Sequence, residues 1–121
     1  MSSVHQRTGA LERVDRILNR GGDADDVLRD VVGVLGQLYP WVAIYFVEGD
    51  GLVLGPAHGT QRAAVAAFPI SFQRTKVGEL HVAAAGADAD ERAFLERVAL
   101  LVSAHCLVAW DTRGVPWDEV S

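Results

Sequence analysis

The sequence predicts an α+β domain: an antiparallel sheet of about four strands, with helices from the N- and C-terminal parts of the chain packed on one face. Three observations carry this expectation. Apolar residues recur at helical spacing before residue 40 and again after residue 88. Between these segments they alternate at period two. The elements also come in runs of one type, which favours an antiparallel sheet over alternating βαβ units. The chain has 121 residues, 50% of them hydrophobic, enough for one domain with a real core.

Residues 1–7 read as a flexible start. The first helix is expected from Thr8 to Asn19, with Leu11, Val14 and Leu18 on one stripe beside Ile17, and Gly21-Gly22 ends it. Asp23 is the N-cap of a second helix, and Asp25 and Asp26 suit the positive end of its dipole. Val27, Leu28, Val31, Leu35 and Leu38 form its buried stripe, up to Pro40. Gly33 and Gly36 weaken this helix and are read as points of close approach to another element.

A hairpin follows at 41–48 and 52–58, turning through Glu48-Gly49-Asp50-Gly51. Its first strand sets Val42, Ile44 and Phe46 on one face and Trp41, Ala43 and Tyr45 on the other. A third strand, "VAAFPISFQ" at 65–73, directs Phe68, Ile70 and Phe72 one way, and Pro69 inside it predicts an edge position or a bulge. A fourth, "KVGELHVAAA" at 76–85, divides Gly78, Leu80, Val82 and Ala84 from Val77, Glu79, His81 and Ala83. The last and longest helix runs from Asp88 to about Asp111. It opens on a capping box in which Asp88 replaces Ser or Thr and Glu91 follows three residues on. The domain thus covers 8–111, and 112–121 is a tail whose Trp117 is expected to pack.

That last helix is apolar around most of its circumference. Phe94, Val98, Leu101, Val102 and His105 make one face; Leu95, Ala99, Cys106 and Ala109 make the next. A helix of this kind is buried on two sides, and the second side is assigned to another copy of the chain. The expected assembly is a homodimer through the helices, with Leu11 and Leu18 joining the interface.

Net charge is -5 and the basic residues are scattered along the chain, so nucleic acid is excluded as a direct partner. A single cysteine, Cys106, permits no intrachain disulfide and suits a reducing cytosol. The opening "MSSVHQRTGA" lacks the apolar core of a secretion signal. The longest apolar run, Val98 to Trp110, is too short to span a bilayer. The expectation is a soluble cytoplasmic protein without a membrane partner. His5, His58, His81 and His105 lack ligand spacing, and "DADD" lacks the spaced acids of a calcium loop, so neither metal nor cofactor is expected.

The stretch "WVAIYFVEGDGLVLGPAHG", Trp41 to Gly59, is flanked by two helices on one side and by "FPIS", "KVGELHV" and a long closing helix on the other. This arrangement resembles a GAF domain over about residues 10–110. It is most similar to the free methionine-(R)-sulfoxide reductases, through Trp41, Tyr45, the Gly49-Asp50 turn, Leu52 to Pro56 and Gly59. The resemblance implies that the first and fourth strands are neighbours and that a ligand binds on the Trp41/Tyr45 face. It departs in the chemistry. Those reductases carry catalytic cysteines in a long segment between the second strand and the "PI" strand, whereas here only a few residues separate Gly59 from Phe68. The family's acidic residues, which hold the substrate's amino group, fall at His81 and Ala83. Thiol-based sulfoxide reduction needs a thiolate and usually a resolving thiol, and Cys106 lies in an apolar helical run where burial makes a thiol inert.

Three readings follow. The preferred one is a non-enzymatic GAF-like binding or regulatory module that dimerises through its helices and is open to a protein partner. The second is a small-metabolite sensor with a reduced pocket, whose candidate contacts are Trp41, Tyr45, His58, Glu79 and His81. The third is an enzyme like the sulfoxide reductases. An acid–base role for the Glu79/His81 pair lacks an identifiable nucleophile or oxyanion donor.

Overall fold

The computed structural model describes residues 4–60, 65–83 and 88–109. Two helices, α1 (Val4–Arg20) and α2 (Ala24–Leu35), lead into β1 (Trp41–Glu48), β2 (Gly51–Gly59), β3 (Ala66–Phe72) and β4 (Thr75–Val82), and α3 (Ala89–Leu101) and α4 (Ser103–Ala109) follow. The tail expected at 112–121, with Trp117, lies outside the described residues. Helix α1 starts at Val4 and not at Thr8, because the preceding residues contain no helix breaker.

All strand pairs are antiparallel, in the order β2-β1-β4-β3. Proline cannot donate to a central ladder, and Pro69 accordingly sits on an outer strand. The β3–β4 hairpin turns through Gln73 (φ 50°) and Arg74 (φ 69°). Two consecutive left-handed residues match the right-handed twist of the strands, although neither is the glycine or asparagine such turns favour.

The helices cover one face of this sheet. Val42, Ile44 and Phe46 of β1, Phe68 and Ile70 of β3, and Leu80 and Val82 of β4 meet Val14, Leu28, Val31, Leu35, Leu95 and Val98 in one core. The N-terminus of α3 is capped as its sequence requires: Asp88 Oδ1 accepts from the Glu91 N–H at 2.8 Å. At Asp23 the side chain makes no capping hydrogen bond. Its cluster with Asp25 and Asp26 is placed where the α2 dipole favours negative charge.

The single long helix expected at the end is broken. Val102 (φ -90°, ψ 0°) closes α3, and the Ser103 hydroxyl donates to the Leu100 carbonyl at 2.8 Å, a local bond that competes with helix continuation. Helix α3 lays Phe94, Leu95, Val98 and Ala99 inward and packs on β3, while α4 turns to contact α2, β3 and β4. Leu95, Ala99 and Cys106 of the second apolar stripe are therefore buried within one chain. Of the residues expected at a dimer interface, Phe94 (6% exposed), Val98 (0%) and Val102 (0%) belong to the core and are not available to a second copy. Leu11, Leu18 and Leu101 are partly buried against that core, and His105 is partly buried. Leu100, 59% exposed, points outward.

Both hairpins contain a bulge. Ala43 pairs with Ala57 and Tyr45 with Leu54, so Gly55 and Pro56 together face Ile44. A Cβ at Gly55 would collide with the Phe46 ring and the Ile44 carbonyl, which explains the glycine there. In the other hairpin Ile70 pairs with Gly78 and Ser71 with Lys76, leaving Val77 as the extra residue. Each bulge reverses the side-chain phase beyond it.

Candidate ligand site on the open face of the sheet

The open face is assembled by register. Ala43 lies beside His81 and Tyr45 beside Glu79 across β1 and β4, and Trp41, two residues before Ala43, projects to the same side. The Tyr45 and His81 rings pack with centroids 4.4 Å apart at 42°. His81 Nε2 is 2.9 Å from Glu79 Oε1, and the Lys76 ammonium bonds the other oxygen of the same carboxylate. The hydrogen bond from Lys76, and then that from His81, hold the Glu79 carboxyl below its ordinary range against the opposing effect of burial.

Lys76 was not among the residues expected here. A regular strand would send residues three apart to opposite faces. The Val77 bulge brings Lys76 round to the open side, where it can reach Glu79. A lysine at the start of a bulged strand leaves no trace in a period-two pattern.

Trp41 supplies the site's unsatisfied group. It is 7% exposed, yet its indole Nε1 has no hydrogen-bond partner. A buried donor left unpaired costs about 1–3 kcal/mol. The face thus combines an anchored carboxylate between two cationic or protonatable groups, an aromatic ledge of Tyr45 and His81, and a donor with nothing to donate to. Such a set can hydrogen-bond a small polar molecule through Lys76, Glu79 and His81, while the indole Nε1, itself buried, is reached only when the side chains around it shift.

His58 does not join this group. It pairs with Val42 and lies on the helix side, where its ring occupies the space that a side chain at Gly36 would need. The bulge at Gly55-Pro56 is the cause: without it, His58 would share the face of Leu52 and Leu54. Gly36 is thereby the point of close approach expected of it, whereas a Cβ at Gly33 would meet nothing within 4 Å. Cys106 is fully buried in the core beneath the helices, and burial pushes its thiol up to about 12. Elsewhere, the Tyr39 hydroxyl donates to Glu91 Oε2 at 2.9 Å; burial first, then that carboxylate, raise the phenol well above its ordinary value. No helix among the described residues is long and apolar enough to cross a membrane.

Comparison with solved structures gives this arrangement its class: the fold is that of GAF domains. A putative GAF sensor protein from Burkholderia vietnamiensis superposes with a TM-score of 0.71 at 15% identity, over 93% of this chain and 95% of that one. The GAF domain of an Acinetobacter phosphoenolpyruvate-protein phosphotransferase gives 0.69 at 13% identity, over 92% and 98%. The free methionine-R-sulfoxide reductase of Neisseria meningitidis, solved in complex with its substrate, gives 0.68 at 15% identity, over 91% and 95%. No protein-family model and no curated protein matches the sequence. The likeness therefore lies in the fold, on the reductase side of the GAF group as well as the sensor side.

Proposed function

We propose that this chain is a non-enzymatic GAF-type regulatory module of the cytoplasm that binds a small polar metabolite on the open face of its sheet and acts as a homodimer. The observation that carries the reading is the buried, unpartnered Trp41 indole N–H beside the Tyr45–His81–Glu79–Lys76 network. A donor kept unpaired at such a position is explained by a ligand that accepts from it. Against catalysis stands the thiol chemistry. The chain's single cysteine is protonated at neutral pH and buried under the helices, far from the character of a redox nucleophile. The dimer is assigned to the outer surface of α1 and α3, where Leu100 is exposed and Leu11 and Leu101 are only partly covered.

The test is thermal unfolding with a panel of polar metabolites that includes methionine and both of its sulfoxides, since a ligand selective for the folded state raises the midpoint by mass action. A dose-dependent shift that disappears in Trp41→Phe is the expected result. A shift that survives this substitution would move the site elsewhere. Turnover of methionine-(R)-sulfoxide that is abolished by Cys106→Ser would replace the binding reading with the enzymatic one. For the dimer, sedimentation of Leu100→Asp is expected to show a folded monomer.

A further inference from the structure

The fold gathers what the sequence scatters. Arg13, Arg16 and Arg20 follow one another along α1 at spacings of three and four residues, and Arg29 faces them from α2; together they line a cleft of about 540 Å³ between the two helices. Four of the chain's eleven basic residues therefore stand around one groove, in a molecule whose net charge is -5. Among the described residues that line the groove, Asp30 is the one carboxylate. Its floor is apolar, formed by Ile17 and Val34, with Gly33 leaving open space above it.

We propose that the α1–α2 groove is a docking site for an acidic segment of a partner protein, a short stretch of chain in which carboxylates alternate with an apolar side chain. This does not depend on what the open face of the sheet binds. Charge complementarity selects the partner's chemistry. Guanidinium groups pair with carboxylates in a two-point geometry and are less strongly hydrated than lysine ammonium groups. Arg16 makes no hydrogen bond or ion pair among the described residues. Arg13 donates to Gln37 at 2.9 Å and Arg20 to Asp30 at 2.8 Å. Each of these two bonds uses one of an arginine's five N–H donors, and the Arg20–Asp30 pair is exposed, so an incoming carboxylate exchanges with it at little cost.

The length of the charged row excludes a nucleic acid. From Arg13 to Arg20 the α1 axis advances about 10 Å, enough for a few peptide side chains. A duplex, with a charge every ~1.7 Å of axis, would extend past the arginines onto the remaining, predominantly acidic surface. The apolar floor also has a use only for an occupant that carries an apolar side chain between its charges.

The experiment measures binding of a fluorescein-labelled peptide of repeated Glu-Glu-Leu to the full chain by anisotropy. Binding is expected to fall steeply with added salt and to weaken roughly tenfold in Arg16→Glu and again in Arg29→Glu, while Arg74→Glu, at the β3–β4 turn, binds as the parent does. Circular dichroism of each variant confirms the fold. Arg16→Gln, which removes the charge without reversing it, is expected to give an intermediate loss. Three results would overturn the proposal: no peptide binding at low salt; binding indifferent to Arg16 and Arg29 in folded variants; or equal binding of oligothymidylate at the same residues, which would make the groove an unselective anion surface. A peptide of Glu-Glu-Ser repeats that binds as well as the leucine peptide would also overturn the role given to the apolar floor.

Discussion

On the helix side of the sheet, Val42, Ile44, Phe46, Ile70, Leu80 and Val82 are all 0% exposed and bring no polar side-chain atom into the core. On the other side, the same central strands carry Tyr45, Glu79 and His81 in a hydrogen-bonded network, and a tryptophan whose donor is unmatched. The outer strands are bare on that side: Leu52 and Leu54 are about two-fifths exposed, at 40% and 39%, and Ala67 and Pro69 are exposed. One face is built from groups that leave water readily, the other from groups that stay useful to a solute. The contrast separates what holds this domain together from the face proposed to meet a ligand, so the two can be perturbed independently.

The largest effect belongs to the closed face. Phe46→Ala is expected to cost about 3–5 kcal/mol in urea unfolding, against a much smaller loss for Tyr45→Ala on the open face; equal losses would erase the distinction. Next comes a change at the hairpin that serves both faces. Arg74→Gly releases a left-handed non-glycine residue and is expected to raise stability by about 1 kcal/mol, with ligand response intact. Trp41→Phe is expected to change stability by less than about 1 kcal/mol, because removal of an unpaired donor offsets the loss of ring area, while any thermal shift that a metabolite produces in the parent is lost.

The smallest effect is a pH signature. The Glu79 carboxyl is held low in the folded chain, so it contributes stability above the ordinary carboxyl range and loses that contribution as pH falls through its lowered value. Glu79→Gln should therefore be slightly less stable than the parent at neutral pH and converge with it in acid. A gap that persists in strong acid would assign the difference to packing and not to charge.

Much of this architecture was legible in the sequence because it rests on period and punctuation. Alternation located the strands, the Asp88–Glu91 spacing located the start of α3, and Pro69 marked an outer strand. The Trp41, Tyr45, Glu79 and His81 face was legible for the same reason, once β1 and β4 were taken as neighbours. What was lost depends on single insertions. A bulge at Gly55-Pro56 moved His58 off the open face, and one at Val77 brought Lys76 onto it. Neither leaves a mark that periodicity can detect, since the residues on each side still alternate. The interface reading of the last helix is corrected in part: Phe94, Val98 and Val102 are buried within one chain, and a helix read by itself shows how much of its surface is apolar but not how much of it the same chain covers. The arginine groove was invisible because its members lie on two helices whose facing surfaces only the packing defines.

The two outer strands each contain a proline, Pro56 in β2 and Pro69 in β3. A strand arriving from another molecule would find the row of backbone donors interrupted on both flanks, which blunts sheet-to-sheet growth and the fibrillar aggregation it seeds. The sheet is in this way a poor template for its own copies, and its edges are less suited to association than the helical surface.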